Sequence, residues 1–448
     1  MTPVPHHRLI DTKVPRYTSY PTAPHFHDGV TSGTVAGWID AIAADEAISL
    51  YLHIPFCDRL CWFCACHTKQ TLRYAPVTDY LATLHREIAM LGRHLAGRGI
   101  VRAIHLGGGS PTMIRPDDLQ SLFQKLHATF TIAADASVSI EIDPNDMDEA
   151  RLDALAGVGT TRASLGIQDF DPHVQKAINR EQGFEATRHV IEGLRARGVG
   201  SVNIDLLYGL PFQTLATLGR TIDLSLSSRP DRIAIFGYAH VPWFKKHQTM
   251  IDEAALPGPG TRLEQAQSAA ALIRQAGYHP IGIDHFALPT DSLAVAAREG
   301  RLTRNFQGYT DDHCETLIGL GPSSISRFRQ GYAQNTPSTG LYGRLIEAGS
   351  LAVVRGISLS ADDRLRGWVI ERLMCDFGFS TAALCDMFGE SAEPILREAA
   401  LLAQASPHVV TEGDRFSIRP ESHLFARSIA AQFDSYLHLE KARHSAAV

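Results

Sequence analysis

Four cysteines fall within ten residues of this 448-residue chain, Cys57-Asp-Arg-Leu-Cys61-Trp-Phe-Cys64-Ala-Cys66, a C-x3-C-x2-C-x-C run. Three close thiolates in one loop suit three corners of a cubane iron–sulfur cluster. Held that way, a cluster keeps one iron open to an outside ligand, whereas ordinary electron-transfer clusters take four thiolates. Structural zinc also takes four closed ligands, usually as two separated pairs, and no second C-x2-C pair is present. Cys66 is a candidate fourth ligand at a short offset from Cys64, and His67 stands beside it. Cys314, Cys375 and Cys385 are scattered. A disulfide framework would spread its cysteines, so clustered thiols in a reducing compartment favour a metal or redox role. The plain alternative is a run of small buried residues in a loop.

Other polar residues recur at intervals. Gly107-Gly108-Gly109-Ser110-Pro111 follows an apolar run. Glycines there permit close backbone approach to a polar ligand, although a tight strand-to-helix turn asks for the same residues. With no Gly-Lys-Ser/Thr following, it is not a phosphate loop. Glu141 precedes Asp143-Pro144, Gln168 interrupts GIQDF, and Asp205 is an acid inside NIDLLYG. An unpaired buried charge is costly, so Asp205 needs a partner. Arg180, in INREQ, suits bidentate pairing with a carboxylate and reads equally as a solvated surface arginine. Taken singly, each of the others reads as a satisfied structural group. Together they favour a polar ligand.

The elements that must position these residues are short β-rich runs: 48–56, 101–109, 136–144, 161–169, 201–211 and 232–242. They are apolar and partly β-branched, as strands buried on both faces should be. Between them lie segments of helical periodicity, such as VTDYLATLHREIAMLGRHLA and FEATRHVIEGLRARG. Strand–helix alternation implies parallel strands with right-handed crossovers, hence an α/β fold, either a (β/α) barrel or a partial (β/α)6 TIM-like barrel. Chemistry in such barrels sits at the C-terminal strand ends, where Cys57, Gly107–Gly109, Glu141, Gln168, Asp205 and Ala239 are expected. Residues 1–45 read as an irregular N-terminal arm with one helix near 33–44, residues 46–348 as the barrel with its substrate-pocket extension, and residues 349–448 as a small helical, winged-helix-like domain. There LRGWVIERLMCDF, STAALCDMFG and EPILREAALLAQA read as helices, HVVTEGDRFSIRP as a hairpin turning at Gly413, and LFARSIAAQFDSYL as a last helix.

Composition narrows the function class. Lys and Arg number 42 against 48 Asp and Glu, a net charge of −6, which leaves no electrostatic footprint for nucleic acid. The winged-helix-like segment 360–448 holds nine basic and thirteen acidic residues, so packing or covering is favoured there over DNA binding. No apolar run reaches membrane-span length, and the N-terminus shows no apolar core of a signal peptide. A cytoplasmic location is expected.

C-x3-C-x2-C with an aromatic, Phe63, before the third cysteine resembles the radical S-adenosylmethionine (SAM) superfamily. YLHIPFC, Cys66, GGGSPT, EIDP, GIQDF, INREQ, NIDLLYGLP, FGYAHVP, NFQGYT and the N-terminal PRYTSYPTA, in order from about residue 15 to 380, resemble the oxygen-independent coproporphyrinogen III oxidases. Ala65, Trp62 and Ser110 stand where that family usually has Gly, Tyr and Thr; an alanine at position 65 would be strained if φ there is positive.

The resemblance implies one [4Fe-4S] cluster on Cys57, Cys61 and Cys64, and two SAM molecules. Tyr51, Gly108, Glu141 and Ile325 fall to one SAM. Phe63, Gly109, Ser110, Gln168, Arg180, Asp205 and Ala239 fall to the second. The implied chemistry is a 5′-deoxyadenosyl radical from SAM that converts two propionates of coproporphyrinogen III to the vinyl groups of protoporphyrinogen IX, in anaerobic haem biosynthesis, with an unidentified electron donor and acceptor. A monomer is expected. Four propionates require cationic groups. Candidates are His6, His7, Arg8, Lys13 and Arg16 in the arm and Arg59 by the cysteines, and the PRYTSYPTA segment is expected to close over the barrel mouth. Arg16, Tyr17, His285 and Tyr309 are the substrate candidates, the last two from the DHF and NFQGYT matches. The alternative is a radical-SAM-like haem chaperone, whose members typically lack the PRYTSYPTA arm and the Cys-x-Cys ending. An enzyme that methylates and opens haem is a third reading.

Overall fold

The structure, a computed structural model, describes residues 13–437. The candidates His6, His7 and Arg8 lie outside the described residues. Six strands run parallel in chain order: β1 (Ala47–Ile54), β2 (Ile100–Gly108), β3 (Ile132–Ile142), β4 (Arg162–Gln168), β5 (Ser201–Tyr208) and β6 (Arg232–Gly237). Each is followed by a helix, the longest being Ala75–Leu95 after β1. The sheet does not close. Beyond β6 it ends with β7 (His279–Ile281) and β8 (His285–Ala287), β8 pairing antiparallel with both β6 and β7. On the other side β1 pairs in parallel with β9 (Thr316–Leu320). The antiparallel β10 (Ile325–Phe328), β11 (Gly331–Asn335) and β12 (Val353–Ser358) follow, making twelve strands in all.

Burial differs from the expectation of strands hidden on both faces. β5 alternates strictly between half-buried and buried residues, and β4 alternates until its last two residues. Val202, Ile204 and Leu206 point to the helices, while Asn203 and Asp205 line the barrel lumen. The cause is the lumen itself, which is hollow and polar, so only the outer face has an apolar partner. The main core is therefore the layer between strands and helices, with Ile48, Leu50, Leu52 and Ile54 of β1 against Leu84, Ile88 and Leu91. Each such side chain contributes about 1.5–3 kcal/mol by burial.

A second core belongs to the C-terminal region. Its order is helix Ala361–Asp376, β13 (Gly378–Ser380), helices Thr381–Phe388 and Glu393–Ala405, then β14 (Val409–Glu412) and β15 (Arg415–Ile418), with β15 central in a three-stranded sheet. Gly413, at φ +60°, makes the hairpin turn. The last predicted helix is broken: only Ala426–Ala430 is α-helical, between 3-10 turns Pro420–Phe425 and Ala431–Phe433. There the packing of Phe425, Ile429 and Phe433 into the core, and the bond of Tyr17 Oη to Asp434, override local propensity.

The arm does not behave as one unit. Val14, Tyr17 and Tyr20 enter the C-terminal core, whereas Val35 and Ile39 of helix Ser32–Asp40 enter the barrel core. Among the described residues, no helix is long and apolar enough to cross a membrane.

Candidate active site

The cysteine loop leaves the C-terminal end of β1. Its base is pinned where Phe56–Cys57 pairs with Lys69–Gln70, with Lys69 N–H on Pro55 O at 2.6 Å and Thr71 N–H on Cys57 O at 2.9 Å. From one side INREQ supports it. Trp62 N–H donates to Ile178 O at 3.0 Å and Asn179 Nδ2 to Leu60 O at 2.9 Å. From the other side, three side chains of the segment after β6 donate to its carbonyls: Lys245 Nζ to Cys66 O at 2.7 Å, His247 Nε2 to Cys64 O at 2.7 Å and Gln248 Nε2 to Phe63 O at 2.8 Å. Sequence reasoning missed this clamp; the polar run KKHQ, two residues after FGYAHVP in a barrel-mouth loop, was its only signal. Trp62 and Phe63 pack against the small apolar cluster of Val174, Ile178 and Leu210. Ala65 is not among the positive-φ residues, so alanine fits there without strain.

Cys57, Cys61, Cys64 and Cys66 line one cavity of about 260 Å³. Phe63, Gly108, Gly109 and Ser110 share its wall, as do Glu141, Gln168, Arg180 and Asp205. The triple glycine is required by close approach. A Cβ on Gly107 would lie 2.6 Å from Glu141 Oε1, one on Gly108 (φ +113°) 2.4 Å from His53 Cε1, and one on Gly109 2.5 Å from Phe56 O. This tightness brings Gly108 N–H to Glu141 Oε2 at 3.0 Å. Although burial raises the Glu141 carboxyl, the bonds from His105 and the Gly108 amide hold it below its ordinary value. Ser110 donates to Asp146 at 2.6 Å, and burial pushes Asp146 up to about 6.

Arg180 is buried, not a solvated surface group. Its Nη1 lies 3.1 Å from Asp143 Oδ2 and 3.5 Å from Cys61 Sγ, and Nη2 donates to Gly166 O at 2.6 Å. Gln168, the last residue of β4, has φ +67° and is 9% exposed. Such a backbone is uncommon for a non-glycine residue. Its Oε1 and Arg180 Nε are buried with no hydrogen-bond partner among the described residues. Asp205 lies three residues before the end of β5, inside the lumen face and not at the strand end. Its partners are Ser164 Oγ at 2.9 Å and Asn203 Nδ2 at 2.8 Å, and burial raises its carboxyl.

The remaining candidates lie elsewhere. Tyr51 stacks on His105 with centroids 5.7 Å apart and donates to His53 Nδ1 at 3.1 Å. His53 Nε2–H donates to His67 O at 2.8 Å, and burial pushes that imidazole down to about 4. His285 and Tyr309 line the lumen, a cavity of about 520 Å³. His285 Nδ1 is 2.7 Å from Asp284, and Tyr309 Oη donates to Met374 O at 2.8 Å. Arg16 and Ala239 line a third cavity. Ile325 starts β10 beside Phe306 and Tyr332, and Tyr17 is core, 4% exposed; neither lines the cysteine cavity. Arg59 lines the cysteine cavity, paired with Asp58 at 3.2 Å, and Lys13 is exposed.

The donor set suits a cluster with a SAM beside it. Four soft thiols face a cavity that also offers the Gln168 amide oxygen, a carboxylate and glycine backbone, as an amino acid and a ribose require. Burial pushes the Cys57 and Cys61 thiols up, so loading a metal there displaces protons. Cys64, bonded by the Cys66 side chain, is drawn down to about 7.

Known proteins resemble this chain along most of its length. The family model of the radical SAM superfamily matches residues 51–225. The chain is 49% identical over 441 residues to coproporphyrinogen III oxidase, anaerobic 1, of Cereibacter sphaeroides, covering 98% of this chain and 97% of the relative. It is 38% identical over 434 residues to the oxygen-independent coproporphyrinogen III oxidase of Escherichia coli K12, covering 96% and 94%. The solved structure of Escherichia coli coproporphyrinogen III oxidase, described as a radical SAM enzyme, matches with TM-score 0.89 at 37% identity over 95% of this chain and 100% of that one. With such identity along nearly its whole length, and a cavity lined by four cysteine thiols at the barrel mouth, the chain belongs to the oxygen-independent coproporphyrinogen III oxidase family, radical SAM enzymes that use a [4Fe-4S] cluster and SAM.

Proposed function

We propose that this chain decarboxylates two of the four propionates of coproporphyrinogen III to vinyl groups without oxygen, giving protoporphyrinogen IX. One observation carries the reading: Glu141, Ser164 and Asp205 line both the cysteine cavity and the lumen, so a reactive group made at the thiols faces the larger space. Cys57, Cys61 and Cys64 hold the cluster. Tyr51, Gly108 and Glu141 serve one SAM, and Phe63, Gly109, Ser110, Gln168, Arg180 and Asp205 a second, whereas Ile325 and Ala239 do not line the cysteine cavity and are left out of both sets. When bound, the reduced cluster and SAM supply a 5′-deoxyadenosyl radical for hydrogen abstraction from a propionate β-carbon, after which carbon dioxide and one further electron leave.

The chain's own part is to bind, orient and shield. Glu141 offers acceptors to an ammonium or to ribose hydroxyls. Gln168 Oε1, buried with no partner among the described residues, accepts an N–H from the ligand. Arg180, fixed by Asp143, keeps a donor on the Cys61 sulfur. The arm and the C-terminal region cover the barrel and restrict water near the reacting carbon. The chain divides into an arm (1–45), a barrel (46–348) whose sheet is completed by β12 at Val353–Ser358, and a covering domain that therefore begins at helix Ala361–Asp376 and not at 349. It works as a cytoplasmic monomer with an electron donor and an acceptor still to be identified. The test is anaerobic purification, reconstitution with iron and sulfide, and incubation with SAM, reductant and coproporphyrinogen III. Both 5′-deoxyadenosine and vinyl product are expected, and the absence of both overturns the proposal.

A further inference from the structure

A third cavity, of about 180 Å³, lies where the arm, the barrel and the C-terminal region meet. Four arginines from four separate elements line it: Arg16 from the arm, Arg262 from helix Pro259–Gln275, Arg304 from the hairpin 303–310 and Arg427 from helix Ala426–Ala430. Among the described residues the one acid in its wall is Asp284, 2.7 Å from His285. In a chain of net charge −6, four cationic side chains from separate elements thus face one cavity.

Arg304 supplies an independent sign of a ligand. It is 9% exposed, its guanidinium lies over the Tyr309 ring at 4.4 Å, and its Nε and Nη1 are buried with no acceptor among the described residues. Buried N–H groups of a guanidinium are normally satisfied, and a carboxylate is the acceptor that fits their fork. Burial and the neighbouring Arg16 hold Arg427 down to about 10.

Position decides which carboxylates. Phe236 and Gln307 line both this cavity and the lumen, and the lumen in turn shares Glu141 and Asp205 with the cysteine cavity. The order is thiols, lumen, arginines. Resting on the functional reading above, we propose that the arginine cavity anchors the propionates that survive the reaction, so that a tetrapyrrole in the lumen turns its opposite edge towards the cluster. Salt-bridged carboxylates are stabilised against loss as carbon dioxide, which suits a site for the two that remain.

The product carries only the retained pair, so protoporphyrinogen IX and its dimethyl ester, used as anaerobic competitors of coproporphyrinogen III binding, isolate the site. Wild-type enzyme is expected to bind the diacid at least about 100-fold tighter than the diester, and Arg427→Met and Arg304→Met each to narrow that preference by about tenfold or more. Arg427→Lys, which keeps a charge, is expected to restore part of it. A wild-type preference below about threefold overturns the proposal, a result that needs no variant to fold. So does a preference unchanged in both Met variants. Because binding is read without turnover, a wild-type enzyme that keeps the acid preference but forms no vinyl product defeats the functional reading and leaves the cavity assignment standing.

Discussion

Arg180→Met removes a guanidinium while keeping an unbranched stem. In the native structure that guanidinium reaches Asp143, Cys61 Sγ and Gly166 O at 3.1, 3.5 and 2.6 Å. Arg180 and Asp143 are each 8% exposed, so the variant leaves a carboxylate with little water and no cation. Breaking one side of a buried ion pair costs about 3–5 kcal/mol. The 260 Å³ cavity beside Asp143 admits some water, which places the expected loss near the lower end, about 3 kcal/mol. Adding Asp143→Asn removes the stranded charge and keeps an oxygen for the Asn145 N–H, now at 3.1 Å. The double variant is therefore expected to recover at least about half the loss, a coupling of roughly 1.5 kcal/mol. Anaerobic urea unfolding of the four proteins measures it. A second readout is the cluster's reduction potential. A donor on a ligating sulfur stabilises the added electron, so its removal makes the cluster harder to reduce. Loss of less than about 1 kcal/mol in the single variant, or strictly additive losses in the double, refutes the reasoning.

Glu87 is 3% exposed, takes bonds from Gly321 N–H at 2.7 Å, Asn335 Nδ2 at 3.0 Å and Tyr342 Oη at 2.7 Å, and is still pushed up to about 7 by burial. Below about pH 4.5 it is protonated folded and unfolded; between about 4.5 and 7 only the unfolded chain ionises, so stability falls as pH rises, by roughly 3 kcal/mol, and is level above. Unfolding of wild type and Glu87→Gln across that window should show the stability of wild type relative to the variant falling by roughly 3 kcal/mol as pH rises, and a flat difference contradicts it. Gly108→Ala puts a Cβ 2.4 Å from His53 at φ +113°; a loss of about 2 kcal/mol or more and weaker SAM binding are expected by thermal melting and equilibrium dialysis. His247→Ala and Gln248→Ala each remove one bond from the cysteine loop, about 1 kcal/mol each, and should shorten the half-life of the reconstituted cluster in a chelator challenge; unchanged half-lives in both would show that the clamp is dispensable.

Much of the barrel was legible because its signals are local. Strand runs bounded by Gly and Pro, helical spacing and the Cys-x3-Cys-x2-Cys loop are short-range patterns, and β2, β4, β5 and β6 begin within one residue of the expected runs. The lumen was misread because apolar content was weighed over alternation. SVSIEID, RASLGIQ and SVNIDLL alternate with period two, which marks strands with one polar face and explains Asp205 without an anomaly. The clamp of Lys245, His247 and Gln248 and the convergence of Arg16, Arg262, Arg304 and Arg427 had no such pattern. They join residues up to 411 positions apart in sequence, from Arg16 to Arg427, and only the folded topology brings them to one place.

That topology gives the split arm a purpose. Tyr17 and Tyr20 are fastened into the C-terminal core while Arg16, between Val14 and Tyr17, remains at the cavity. The arm is held by its aromatic residues so that its cation is presented, and the C-terminal region presents Arg427 from the opposite wall. Neither segment can supply its charge unless both dock on the barrel. The small domain whose acidity argued against nucleic acid is thus a wall of the pocket, and the positive charge that a tetracarboxylate requires is assembled locally from three parts of an otherwise acidic chain.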